Sequence, residues 1–176
     1  MELWALYDRD RYPLGRKAVR GERLAKGEYH VVVHVCIINS KDQMLIQQRQ
    51  PFKEGWPDMW DVSVGGSAVD GESSALAAER ELFEEIGYRA DFSACRPFFT
   101  INFEEGFDDF YILEADVDLS RLKLQYEEVQ AVRWASKDDI FRMMDGGSFI
   151  PYHPSVIDMI FQMRHHRGAI VDGVQQ

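Results

Sequence analysis

Gly66-Ser67-Ala68-Val69-Asp70-Gly71-Glu72-Ser73-Ser74-Ala75-Leu76-Ala77-Ala78-Glu79-Arg80-Glu81-Leu82-Phe83-Glu84-Glu85-Ile86-Gly87-Tyr88 is the stretch that decides how this 176-residue chain folds. Ala75, Leu76, Ala77, Ala78 and Leu82 are good helix formers, and Gly87 stands where a C-terminal cap belongs, so the spacing predicts a helix over 72–86. On a helical wheel Glu81, Glu84 and Glu85 fall within about 100° of one another. Ala75, Leu82, Phe83 and Ile86 take the opposite arc, and Glu79 falls among them. Like charges three and four residues apart cost a helix a few tenths of a kcal/mol per pair, roughly. Three clustered glutamates therefore call for a partner. A hard divalent cation suits them, because Mg²⁺ takes oxygen ligands and favours sites it shares with substrate phosphates. An ordinary solvated acidic face is the competing reading.

Outward from this helix, strand patterns dominate. Trp60 to Val64 reads as a short strand that stops at Gly65-Gly66. Val31 to Ile38 is a β-branched run typical of a strand buried on both faces, returning through Asn39–Asp42 into Met44–Arg49. Phe98–Phe103 and Phe107–Glu114 form a hairpin pattern across Glu104-Glu105-Gly106, and Val129–Ala135 is a further strand. Ser136 is placed to cap a helix to about Met144, and Pro154 opens a last helix ended by Arg164-His165-His166-Arg167. Residues 1–27 form an N-terminal extension with a short strand at Leu3–Tyr7, then a charged run broken by Gly15, Gly21 and Gly27. Residues 146–176 form a C-terminal helical segment. Strands interleaved with three helices give an α/β layered fold with a mixed sheet, and nothing divides residues 1–176 into more than a single domain.

Composition narrows the function. At 45% hydrophobic residues the chain can bury a real core, which excludes a disordered or fibrous protein. A net charge of -10 repels a polyanion, so a nucleic-acid partner is not expected. No stretch approaches the ~18 apolar residues of a membrane span. Cys36 and Cys95 form no CxxC pair, which fits a reducing interior. The expectation is a soluble, cytoplasmic protein without a membrane partner.

Gly66, Glu72, Arg80-Glu81-Leu82, Glu84-Glu85 and Gly87-Tyr88 resemble the Nudix box, with all seven fixed letters of that motif at their spacings. Its chance match per window is below ~10⁻⁸ at ordinary residue usage. Tyr88 departs mildly, standing where the family usually has a bulky aliphatic residue. The resemblance implies a Nudix-type α/β/α sandwich whose box helix carries the metal site. It also implies hydrolysis of a small-molecule diphosphate, mostly a nucleoside diphosphate linked to another moiety, with Mg²⁺ or Mn²⁺ as cofactor. By position Glu81, Glu84 and Glu85 match the metal-binding carboxylates, the Gly65 carbonyl matches a further ligand, and Arg80 matches the orienting cation. Glu72 is expected to stabilise the box, and Gly66 and Gly87 to serve backbone conformation.

A general base is also needed. Glu81 is one candidate. Glu128, six residues before Trp134, resembles the distant glutamate of several family members and is the other, as base or metal ligand. Arg49 and Lys53, followed by Trp56-Pro57-Asp58-Met59-Trp60, look like the segment with which isopentenyl-diphosphate isomerases grip a diphosphate, so both are expected to bind substrate. Those isomerases share the Nudix fold and supply the alternative activity. They carry a catalytic cysteine at the position of Gly65 and a metal-binding histidine at that of Ser67, and the box is intact here, which favours the hydrolase.

His30 matches an isomerase metal histidine, but His30 and His34, four residues apart on a strand, lie ~13 Å apart and cannot share one ion. Trp56, Trp60, Phe103 and Tyr152 are candidates to stack a base. A second alternative, a non-catalytic Nudix ligand sensor, would need a DNA-binding appendage for which the remaining residues are too few and too acidic. The leaving group is left open, its choice assigned to loops 50–60, 103–109 and 146–153. So are the number of metal ions and the oligomeric state, a homodimer by exchange of residues 1–27 being compatible with the sequence.

Overall fold

The computed structural model describes residues 2–170. The tail of the C-terminal segment, 171–176, lies outside the described residues. The chain runs β1 (Leu3–Tyr7), β2 (Pro13–Val19), β3 (His30–Ile38), β4 (Gln43–Arg49), β5 (Trp60–Asp61), β6 (Val64–Ser67), α1 (Ser74–Ile86), β7 (Phe99–Phe103), β8 (Gly106–Glu114), β9 (Val129–Ser136), α2 (Lys137–Asp145) and α3 (Pro154–Met163).

β3 is the axis of the molecule. It pairs with β8 in parallel along its whole length, from His30 opposite Gly106 to Ile38 opposite Glu114. Its other edge is shared: β6 pairs antiparallel over Val32–Val35, and β4 only at Ile38. β4 pairs in turn with β5 and with β9, and β7 closes the sheet against β8. Because successive strand residues point to opposite faces, β3 feeds two cores. Val31, Val33, Val35 and Ile37 pack with Ala77, Ala78, Leu82 and Ile86 of α1. Cys36 and Ile38 pack on the other face with Ile140 of α2 and with Ile157 and Ile160 of α3. The result is the α/β/α layering and mixed sheet that the sequence predicts. No helix among the described residues is long and apolar enough to cross a membrane.

Several boundaries differ from the sequence reading. The strand does not stop at Gly65-Gly66: the chain bends at Val62-Ser63 and then runs through both glycines as β6. The box helix begins at Ser74, because the Ser73 side chain accepts the Leu76 N–H and caps it. The last helix ends at Met163, and Arg164 beyond it pairs with Asp42 and Glu114 instead of closing a basic helix end. β2 carries no apolar alternation and is mostly exposed, yet it pairs antiparallel with β1.

That hairpin is fastened to its own chain. The Trp4 ring stacks on His30 at 4.1 Å, Tyr7 and Tyr29 exchange backbone hydrogen bonds, and the Asp70 N–H donates to the Leu3 carbonyl at 2.7 Å. Arg11 sits at the hairpin tip with a left-handed φ of 65°. Its guanidinium forks onto Asp109, a fully buried carboxylate that also accepts from Ser74 and Thr100. Breaking such a buried pair costs several kcal/mol, roughly, so Arg11 holds the extension down.

Candidate active site

The loop from β6 into α1 brings the box residues together around Arg80. Arg80 Nε donates to Glu72 Oε1 at 2.7 Å and its Nη2 to Glu72 Oε2 at 3.0 Å, the bidentate geometry that lysine lacks. The same guanidinium reaches the Ser67 carbonyl and Glu84 at 3.0 Å, and Glu81 at 2.9 Å. Glu72 also accepts the Val69 N–H, tying the loop to itself. The hydrogen bond to Glu72, helped by Glu81 and Glu84 and opposed by burial, pushes the Arg80 pKa upward. Gly87 ends the helix in the left-handed region at φ 69°.

Two of the glutamates are not on the surface. The wheel places Glu81, Glu84 and Glu85 opposite the apolar arc, whereas Glu81 and Glu85 are 8% and 3% exposed and face the fold beside Leu82. It is Phe83 that is outward, under the Arg89 guanidinium at 3.7 Å, and Glu84 is exposed as well. Burial, more than the Arg80 charge that opposes it, raises the Glu81 pKa to about 7. Burial, and then the charges of Glu81, Glu128 and Asp61, raise Glu85 further above its ordinary value. Gln47 of β4, itself buried, donates its Nε2 to Glu85 Oε2 at 2.9 Å and leaves its Oε1 as a buried acceptor without a partner. Gly66 serves space, not backbone freedom: a Cβ there would overlap the Glu81 carboxylate. Glu79, anomalous on the wheel, accepts the Phe92 N–H and fixes the chain leaving the helix.

Arg49, Lys53 and Glu128 meet in an open cleft of about 450 Å³, together with Phe52, Gly55, Glu127 and Arg20. Lys53 Nζ pairs with Glu128 Oε2 at 2.5 Å. Arg49 donates to the Gly55 carbonyl at 3.0 Å and stands 3.9 Å from the buried Asp61. Trp56 and Asp58 both take left-handed φ values, 51° and 63°, a strained loop beside the cleft. The backbone joins cleft and box: the Gln125 N–H donates to the Glu85 carbonyl, and the Gln50 N–H to the Glu128 carbonyl. Glu128 lies in the turn before β9, not in the strand.

Among the described residues no three His, Cys, Asp or Glu side chains converge on one point. Arg80 pairs with both Glu81 and Glu84, and Glu128 is paired with Lys53. Their donor chemistry still suits a hard cation: carboxylate oxygens, a buried orphan amide oxygen, and two carboxylates that repel one another when ionised.

Of the histidines, His34 lies nearer the box. Its register partner is Gly65, where a Cβ would stand 3.0 Å from its Nδ1, and its Nε2 is 3.3 Å from Asp108. His30 is buried under the hairpin, which lowers its pKa to about 4. Of the stacking candidates, Tyr152 is committed to Asp61, Trp60 to Arg133 and Phe103 to His30. Loop 146–153 pairs with the Trp60 backbone, and loop 103–109 with His30.

Sequence reasoning missed Arg20 and Gln47. Gln47 had a signal, a polar residue inside the buried run of β4. Arg20 had none, because only the folded hairpin carries it to the cleft. Tyr88 is half-buried against the α1 core, so its size is absorbed.

A family model described as the NUDIX domain matches residues 28–152. An uncharacterized Nudix hydrolase of Listeria monocytogenes is 47% identical over 165 residues, 94% of this chain and 96% of that protein. An isopentenyl-diphosphate Delta-isomerase of Pectobacterium atrosepticum is 35% identical over 88 residues, 50% of this chain and 48% of that one. A Deinococcus radiodurans crystal structure superposes with a TM-score of 0.73 at 20% identity, covering 92% of this chain and 98% of that one.

Proposed function

The chain belongs to the Nudix hydrolase family, whose members act on pyrophosphate-containing substrates and generally use divalent metals, and from that membership we propose a Mg²⁺- or Mn²⁺-dependent hydrolase of a diphosphate linkage in a nucleoside diphosphate joined to another moiety. The observation that carries the reading is the pair of buried, mutually repelling carboxylates, Glu81 and Glu85, the second tied by its carbonyl to Gln125 in the segment that leads to a cleft holding Arg20, Arg49 and Lys53.

Glu81, Glu84, Glu85 and the Gly65 carbonyl would hold the metal, and Glu128 would be freed to act on water once Lys53 turns to substrate. When bound there, a divalent cation would supply polarisation of the diphosphate and a lowered pKa for the attacking water. Arg49 and Lys53 bind the phosphoryl oxygens in the cleft, and Arg80 keeps Glu81 and Glu84 oriented through its fork on Glu72. Glu128, half-buried beside Lys53, positions and deprotonates the attacking water. Glu128→Gln is then expected to lower kcat by about 10²-fold while leaving KM within a few fold. Near-parental turnover in Glu128→Gln, with the loss seen in Glu81→Gln alone, would move the base to Glu81.

The isomerase reading has two relatives in its favour, matched over 50% and 66% of the chain. It lacks the catalytic cysteine, because Gly65 has no side chain, Cys36 is buried in the α2–α3 core, and Cys95 is exposed beyond α1. A hydrolysis screen with Mg²⁺ or Mn²⁺ over ADP-ribose, NADH, dinucleoside polyphosphates, CoA, nucleotide sugars, nucleoside triphosphates and isopentenyl diphosphate tests the reading. Metal-dependent cleavage of one class is expected. Allylic proton exchange in isopentenyl diphosphate, without hydrolysis of any compound, would replace it with the isomerase.

A further inference from the structure

We propose that the N-terminal hairpin is part of the substrate site, and that Arg20, just past the end of β2, is a third cation for the substrate's phosphoryl oxygens beside Arg49 and Lys53. This rests on the diphosphate reading above. The family model begins at residue 28, so the hairpin lies outside the part of the chain it matches.

Arg20 lines the same cleft as Arg49, Lys53 and Glu128. In a chain with 30 acidic against 20 basic residues, three cations around one cleft of about 450 Å³ stand out. The guanidinium is held but not saturated. Its Nη1 donates to Glu2 Oε2 at 2.7 Å, and an arginine has further donors to offer. Burial opposes its charge, and the Glu2 hydrogen bond with the charges of Glu2, Glu128 and Glu81 more than offsets this, so Arg20 feels Glu128 of the cleft and Glu81 of the box. Nor is it on a loose end. The hairpin carrying it is fixed by the Arg11–Asp109 pair, the Trp4–His30 stack and the ion pair of Lys17 with Asp70 in the loop before α1. A rigidly mounted planar fork suits the phosphoryl group that is not attacked, which Arg20 holds while the box carboxylates serve the other.

The test measures binding of methylenediphosphonate, a diphosphate that cannot be hydrolysed, by calorimetry in the presence of Mg²⁺. Arg20→Ala in the full chain is expected to weaken binding about tenfold or more, and Arg20→Lys to restore part of it. In turnover assays the same variant raises KM by a similar factor and leaves kcat within about threefold. Glu2→Gln separates binding from support: it takes the charge out of the Arg20 tie and should leave affinity at or above the parent's. A loss in Glu2→Gln equal to that in Arg20→Ala would make Arg20 a structural strut and overturn the inference. Parent and Arg20→Ala binding the probe equally would also overturn it. Failure of the parent itself to bind the probe would reject the diphosphate reading, and the inference with it.

Discussion

Glu85→Gln is expected to give a protein that melts higher than its parent at pH 8 without divalent metal, yet turns over roughly 10²–10³-fold more slowly with it. Glu85 is 3% exposed and its proton affinity is raised in the folded state, as is that of Glu81, held at about 7. A raised carboxylate binds its proton more tightly when folded. Its contribution to stability is therefore complete below the unfolded value near 4.5 and is lost as pH rises through the folded one. At pH 8 the unfolded chain has released both protons, so the folded parent bears the cost of burying Glu85 beside Glu81, whether that cost falls on a held proton or on a charge. Glutamine at 85 cannot ionise, and its amide oxygen can still accept from Gln47. His30 has the opposite slope, since its folded value of about 4 lies below 6.5 and its contribution is lost as pH falls. At pH 8 it is neutral folded or unfolded and does not enter. Melting curves with and without Mg²⁺ read both effects, and Mg²⁺ should raise the parent's midpoint more than the variant's. A variant that melts lower without metal would mean that Glu85 is there to hold Gln47, not to wait for a cation.

Gly66→Ala is the second large effect. The new methyl would overlap the Glu81 carboxylate, and the carboxylate, at the end of a flexible side chain, is what must move. Folding should survive, because φ at Gly66 is not in the left-handed region and β6 keeps its pairing with β3 at Val33. Activity should not. Displacing one carboxylate by an ångström or more is expected to cost about 10²-fold in turnover with the melting midpoint within a few degrees of the parent. A matched Gly71→Ala in the same loop would instead act through strain at its φ of 87°, lowering stability and not reaching Glu81.

The box helix, the glycines around it, the alternation of β3 and the capping of α2 were legible because each is a local rule: propensity, period or cap. The burial of Glu81 and Glu85 was not. A wheel divides a helix into arcs but does not tell whether the polar arc also meets the protein, and here β6 and Gln47 cover it. β2 was invisible for a different reason. Pro13, Gly15, Arg16 and Lys17 leave no apolar alternation, and the strand exists because β1 offers it an edge and Arg11 finds Asp109. Arg49, Lys53 and Glu128 could be named from resemblance. That they share one cleft with Arg20 depends on tertiary placement, which no spacing encodes.

The most direct test of the buried carboxylates as a metal site is a Mg²⁺ titration of metal-free protein at pH 6.5, by calorimetry in two buffers of different ionisation enthalpy. Glu81 is partly protonated there and burial makes Glu85 hold its proton more tightly than an ordinary carboxylate, so binding should release protons, and the apparent enthalpy should differ between buffers in proportion. Glu85→Gln should bind far more weakly and release fewer. Mg²⁺ binding of equal affinity in parent and Glu85→Gln, with no proton released in either, would place the metal away from the box helix and contradict the account.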